Sequence, residues 1–325
     1  MPKAIASRRL EEGERLTKIM ILGHQKQWQF LKESFRLGRV PHALLFQGPE
    51  KLGKKTLARE FVKLLNCQSN DFSSKPCQKC LSCQATERGV HPDFIFIEPI
   101  GKEIQISQIR DLSLRLAEKS SLSPFKTAIL DKAHLMNQEA QNSFLKTLEE
   151  PKGKTVLILV TEYPERLFPT ILSRLQKIKF FPVKKEEIED FLKEKEIPKE
   201  KIEEILIISS GKPGLVIDFL KNPEKLKERK ERIKAIIKIS NLPLFSRFQY
   251  AKELSRQDDL KEILDIWLNY FRKILLSNLN EKQSIQQYSL SKLQNILWQI
   301  QKTNFLISTT NINKKLALEI LMLEI

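Results

Sequence analysis

An α/β fold followed by an all-helical remainder is predicted by three features of the 325-residue chain. Short apolar runs at Ala43 to Phe46, Phe94 to Ile97, Thr127 to Leu130, Val156 to Val160 and Ile178 to Phe181 have the length and composition of buried strands. Stretches with helical spacing separate them, which is the arrangement of a parallel sheet covered on both faces. Beyond Pro182 the strand signals vanish, and every strong pattern has the helical period.

Residues 1–19 mix Arg8, Arg9, Glu11, Glu12 and Glu14 with no apolar core, which predicts a polar, flexible extension and no secretory leader. Regular patterning starts near Met20, so a first unit is assigned to 20–182. From Ile21 to Arg39, Trp28, Leu31 and Phe35 share a helical face and Gly38 marks its end. A helix over Leu57 to Leu65 follows the first strand, and Ile106, Ile109, Leu112 and Leu116 define another. Asn137 is placed to cap a helix whose inner face holds Ala140, Phe144, Leu145 and Leu148, with Pro151 beyond it. Residues 183–221 form a small helical unit broken at Pro198 and at Gly211 to Gly214. In residues 222–325 the predicted faces are Ile233, Ile236 and Ile237; Leu264, Trp267, Leu268 and Phe271; Leu293, Ile296, Leu297 and Ile300; and Leu316, Ile320 and Leu323. Several amphipathic helices without a catalytic constellation suit packing or oligomerisation.

Between the first strand and its helix, Gly48, Gly53 and Lys54 are in register with the pattern Gly, four residues, Gly-Lys. Glycines let such a loop wrap so that its amides face phosphate oxygens, and the helix N-terminus adds positive partial charge. Parallel sheets take ligands at the carboxyl ends of their strands, and the 48–56 loop, Asp131 and Thr161 all fall there. One position departs from the pattern. The residue after the lysine, whose hydroxyl would hold magnesium, is Lys55, and Thr56 comes one step late. Gly48, Gly53, Lys54, Lys55, Thr56 and Asp131 thus describe a weak or vestigial nucleotide site, with ATP and Mg2+ left open; a surface turn without ligand is the competing description.

All four cysteines, Cys67, Cys77, Cys80 and Cys83, lie within one short stretch. Without an export signal a disulfide framework is out of place, whereas clustered thiolates at this spacing suit a tetrahedral structural zinc ion. Free thiols are the alternative, and His91 is the one histidine near enough in sequence to substitute as a ligand. A net charge of +16 favours polyanionic partners, nucleic acid first. Lysines are spread through most of the chain with acidic neighbours, so a solvated surface explains much of that charge. No apolar run reaches membrane-spanning length, and the protein is expected to be cytoplasmic.

Longer motifs carry a family resemblance. Ile21-Leu22-Gly23-His24-Gln25, Pro41-His42-Ala43, the cysteine module, His91-Pro92-Asp93, Asp131-Lys132-Ala133-His134 and Leu172-Ser173-Arg174 accompany the most specific run, Leu145-Lys146-Thr147-Leu148-Glu149-Glu150-Pro151. Together they resemble the delta-prime branch of the bacterial DNA polymerase III clamp-loader family and, more broadly, the gamma/tau and replication factor C group of AAA+ proteins. The resemblance implies a RecA-like P-loop module with a zinc-binding insertion at 67–83, a helical lid over 183–221 and a helical collar over 222–325. It implies as partners the gamma/tau and delta subunits of a hetero-pentamer, the sliding clamp and primer-template DNA.

The same resemblance separates a motor from a silent subunit. Active members have Glu where this chain has Lys132, a hydroxyl where it has Lys55, and a sensor arginine where it has Gly214. A charged lysine cannot accept a proton from an attacking water, so hydrolysis by this chain is not expected. Arg174 matches the arginine finger that reaches the next subunit's ATP site, with Leu175 in place of the family's cysteine. An active gamma/tau-like ATPase, favoured by Gly48, Gly53, Lys54 and Asp131, is the alternative; a stand-alone nucleic-acid-binding protein, favoured by charge, is another.

Overall fold

The computed structural model describes residues 22–280, 288–310 and 312–325; the extension 1–19 and the start of patterning at Met20 lie outside them. The chain divides into two compact units, one running to Ile202 with Gly211–Val216 added, the other comprising Glu203–Ser210 and Ile217–Ile325.

The first unit is built on five parallel strands, β1 (Ala43–Gln47), β2 (Phe94–Ile97), β3 (Lys126–Leu130), β4 (Thr155–Thr161) and β5 (Gln176–Lys179), in the order β2-β3-β4-β1-β5. All seven residues of β4 are buried, as expected for a strand covered on both faces. Alternation within β1 sends Ala43 and Leu45 to one face of the sheet and Leu44 and Phe46 to the other. The first face is covered by α4 (Ile106–Ala117) and α5 (Gln138–Glu149) through Ile109, Leu112, Ala140, Phe144 and Leu148. The second is covered by α1 (Gln25–Arg36) and α2 (Lys54–Asn66) through Leu31, Leu57, Phe61 and Leu65. A short α3 (Leu81–Arg88) and α6 (Pro169–Leu172) complete the module, and α7 (Lys185–Glu194) follows the sheet.

Two sequence-predicted boundaries have a direct physical cause. Asn137 Oδ1 accepts the amide of Ala140 at 2.9 Å and opens α5. Gly38, at φ +67°, takes the left-handed position that ends the first helical run. The last strand needs correction: β5 is Gln176–Lys179, not Ile178 to Phe181, and Phe181 is 64% exposed. Its register against β1 begins at Leu44 opposite Gln176. Three of its four residues, Gln176, Lys177 and Lys179, are polar and exposed, so hydrophobicity alone misses them.

Helices α8 (Lys199–Ser209) and α9 (Pro213–Lys221) both straddle the division between units, which therefore passes through the segment assigned to a lid. The second unit continues as α10 (Pro223–Ser240), α11 (Leu244–Leu254), α12 (Leu260–Asn280), α13 (Leu290–Thr309) and α14 (Lys314–Glu324). Its core gathers Ile236, Leu264, Trp267, Phe271, Leu293, Ile296 and Ile300 as the spacing predicts. In α14 the predicted face is the wrong one. Leu318, Leu321 and Met322 are buried, while Leu316, Ile320 and Leu323 are 55%, 45% and 56% exposed. From Leu316 to Leu323 every residue but Glu319 is apolar, so periodicity does not choose a face; packing against α11 and α13 does. Helix α11 has no counterpart among the sequence-predicted elements. Among the described residues no helix is long and apolar enough to cross a membrane.

Candidate functional site

The loop after β1 lies where the strand order turns, since β1 is flanked by β4 on one side and β5 on the other. Gly48 holds φ +145°, and a Cβ there would meet the carbonyl oxygen of Phe180 at 2.4 Å, so only glycine fits. Gly53 holds φ +85° and caps α2, whose first residue is Lys54. The Lys54 side chain folds back over the loop and its Nζ donates to the carbonyls of Gly48 and Pro49, both at 2.5 Å. A cavity of about 490 Å³ opens beside it, bounded by the loop, Thr56, Asp131, Lys132, His134, Thr161 and Gly214. Gly48 to Thr56, Asp131 and Thr161 are thus brought together as their strand-end positions predict.

Lys55 does what the sequence did not foretell. Its Nζ lies 3.0 Å from Asp131 Oδ2 and 3.9 Å from Glu98 Oε2, and 4.5 Å over the centre of the Phe96 ring. A cation–π contact and two carboxylates together hold an ammonium group against the carboxylate at the end of β3. On the opposite wall, Gly214 donates its amide to Lys51 O at 2.8 Å, and a Cβ at Gly214 would meet that same oxygen at 2.8 Å. No longer side chain fits at position 214 without moving the loop. Deeper, His134 Nδ1 is 3.1 Å from Thr161 Oγ1, and Tyr163 donates its amide to that oxygen at 3.1 Å.

Arg174 is remote from this cavity. It precedes β5, so it stands at the amino end of the sheet, while the phosphate loop leaves the carboxyl end of β1. Its Nη2 is 2.8 Å from Glu149 Oε1 and its Nη1 donates to Thr170 O at 2.8 Å. Both partners of this ion pair are more than one third exposed, so the pair contributes at most about 1 kcal/mol and is easily exchanged for another anion.

The four cysteine sulfurs lie within 4.8 Å of one another, none in a disulfide. A tetrahedral ion with metal–sulfur distances of about 2.3 Å needs sulfurs roughly 3.8 Å apart, so the cluster is within a small adjustment of closure. Backbone amides already face the sulfurs: Cys77 donates to Cys67 Sγ at 3.4 Å, Cys80 to Cys77 Sγ at 3.3 Å, and Cys83 to Cys80 Sγ at 3.4 Å. Burial opposes charge on Cys77, but the amides of Lys79 and Cys80 outweigh it and bring that thiol down to about 7. Burial pushes the Cys67 and Cys83 thiols up. Amide donors around four convergent sulfurs fit a bound cation that takes all four as thiolates.

Two networks fasten this module, and sequence reasoning missed both. Lys63, 1% exposed on α2, donates to Glu60 Oε1 at 2.8 Å, Glu87 Oε2 at 2.5 Å and Gln78 Oε1 at 3.0 Å. Burial alone would lower the Lys63 ammonium, but its bonds to Glu60 and Glu87 prevail and raise it. No periodicity marks these residues, because they meet only when the cysteine loop folds onto α2. His91 is not a ligand: its Nδ1 accepts the amide of Asp93 at 3.1 Å, and its Nε2 is 3.0 Å from both Ser82 Oγ and Ser123 Oγ. Asp93 in turn accepts the amides of Ser121, Leu122 and Ser123 at 2.7, 2.8 and 2.9 Å.

Burial works against the Asp93 carboxylate, yet those three amides hold it below its ordinary value of 3.8. A depressed carboxyl stabilises the fold fully above pH 3.8, and that contribution is lost as pH falls through the lower folded value. Asp93→Ala is expected to cost about 3 kcal/mol, or about 6–12 °C in Tm. Thermal unfolding at neutral pH is the check. A shift below about 1 °C would mean the loop is held by other contacts.

Residues 23–184 match the family described as DNA polymerase III, delta subunit. The DNA polymerase III delta-prime subunit of Pseudomonas aeruginosa is 37% identical over 192 residues, covering 57% of this chain and 58% of that one. The delta-prime subunit of Bacillus subtilis is 29% identical over 279 residues, covering 82% of this chain and 84% of its own length. The gamma subunit of Buchnera aphidicola subsp. Schizaphis graminum is 35% identical over 173 residues, covering 53% and 47%. This chain therefore spans little more than half of the Pseudomonas relative. Because the matched span takes in all five strands, the loop between β1 and α2, the cysteine cluster and Arg174, the chain belongs to the delta-prime family of DNA polymerase III clamp-loader subunits.

Proposed function

We propose that the chain is a non-hydrolysing stator of the DNA polymerase III clamp loader. In this role it sits in the cytoplasm in a hetero-pentamer with gamma/tau and delta subunits and helps place the sliding clamp on primer-template DNA. Arg174 acts in trans, as an arginine finger on a neighbour's ATP. The observation that carries the silent half of this role is the ion pair between Lys55 and Asp131. Hydrolysis in P-loop enzymes needs a metal held near the strand-end carboxylate and a base for the water. Here an ammonium group occupies the carboxylate, Lys132 stands where the base belongs, and Gly214 leaves no room for a sensor side chain.

Cys67, Cys77, Cys80 and Cys83 hold a structural Zn2+ that closes the loop on α2 without entering the chemistry. Residues 183–221 act as the lid and 222–325 as the collar. The exposed stripe Leu316, Ile320 and Leu323 gives the collar an apolar surface for a neighbouring subunit.

The gamma similarity, with Gly48, Gly53, Lys54 and Asp131 retained, favours a second role as an active motor. ATP turnover distinguishes the two. The isolated chain is expected to show no turnover above background, and a loader carrying Lys54→Ala in this subunit should keep its full rate. Turnover by the isolated chain that Lys54→Ala abolishes would establish the motor instead.

A further inference from the structure

In a P-loop site the divalent cation is held by the hydroxyl that follows the loop lysine and, through water, by the carboxylate at the neighbouring strand end. In this protein the side chain at that first position is itself a cation. Lys55 Nζ is 3.0 Å from Asp131 Oδ2, 3.9 Å from Glu98 Oε2 and 4.5 Å over Phe96. The strand-end carboxylate that would face a dication, Asp131, already has a counter-ion, and a second cation brought beside the ammonium would be repelled. The phosphate-binding half of the site is nevertheless built. Gly48 and Gly53 keep the backbone that the loop needs, Lys54 is 6% exposed within it, and the cavity measures about 490 Å³.

We propose that Lys55 is a built-in replacement for the divalent cation, so that the loop takes a nucleoside triphosphate in its metal-free form. Lys54 and Lys55 then supply the positive charge that elsewhere comes from one lysine and a magnesium ion. This rests on the stator role of the site, because a metal-free triphosphate lacks the ion that hydrolysis requires. It also goes beyond that role: a silent subunit need bind nothing, whereas this one keeps a ligand whose affinity does not respond to magnesium.

The test is equilibrium binding of a fluorescent ATP derivative to the full chain, in buffer with magnesium chloride and in buffer with EDTA. For the wild-type protein the two dissociation constants should agree within about twofold. Lys55→Thr restores a hydroxyl after the lysine and releases Asp131, so its binding should become at least about tenfold tighter with magnesium than with EDTA. Lys55→Met removes the charge at nearly constant length and should weaken binding in EDTA by about tenfold. Circular dichroism of both variants establishes that they fold; the Lys55 side chain is 40% exposed, and its contacts are to Asp131, Glu98 and the Phe96 ring. Magnesium dependence of about tenfold in the wild-type protein, or the same metal response in Lys55→Thr as in wild type, overturns the replacement. No wild-type binding in either buffer overturns it as well, and leaves the stator role intact, since Arg174 works from the other end of the sheet.

Discussion

A clamp loader reconstituted with Arg174→Ala is expected to assemble normally and to lose about 10³-fold in turnover at the site that the proposed finger serves. Arg174 stands at the amino end of β5, away from its own phosphate loop, so it cannot serve the chain that carries it. Its present partner, Glu149, is a solvent-exposed carboxylate bound at 2.8 Å, and exchanging that contact for a neighbour's phosphate costs little. The guanidinium presents a planar fork of donors to charge developing on a transferred phosphoryl group. Arg174→Lys should therefore rescue poorly, while Glu149→Ala, which removes only the resting partner, should leave turnover nearly unchanged. Total steady-state turnover will fall by less than the single-site figure, because other sites keep their own fingers. Unchanged turnover and clamp loading in a fully assembled Arg174→Ala complex would remove the trans role.

The second large effect is expected at the cysteine cluster. Cys83→Ser should lower zinc content from about one equivalent to background, because three thiolates leave the tetrahedral shell open. Structural zinc sites in small peptides contribute about 10–16 kcal/mol, as much as the whole stability of a typical domain. Here the sheet core contains no residue of the 68–82 loop, so the loss should be local. Limited proteolysis is expected to cut within that loop in Cys83→Ser or chelated protein and to spare it in the zinc-loaded chain. A wild-type protein with four titratable thiols, no metal and full resistance to protease would rule out the zinc site.

Much of this molecule can be read from local sequence because its central strands are buried on both faces. Val156 to Val160 and Thr127 to Leu130 announce themselves as apolar runs, and Asn137 caps its helix through a contact three residues away. The loop glycines are legible for a similar reason, since a left-handed backbone is a local demand. What escaped was set by partners distant in sequence. The β5 register depends on β1, the buried face of α14 on α11 and α13, and the Asp131 contact of Lys55 on a strand 75 residues or so downstream. Lys63 is the sharpest instance. A lysine on a helix reads as solvated surface, yet here it is buried because Glu60, Gln78 and Glu87 converge on it.

The separation of Arg174 from the phosphate loop has a consequence for assembly symmetry. A subunit that offers its arginine at one end of the sheet and its nucleotide at the other joins its neighbours head to tail, through unlike surfaces. In a ring of identical motors every such junction is equivalent. In the proposed stator role, a chain whose Arg174 serves a neighbour while Lys55 neutralises its own Asp131 breaks that equivalence. On that proposal the assembly has a polarity: the junction that Arg174 completes fires, and the junction at the Lys55 loop does not.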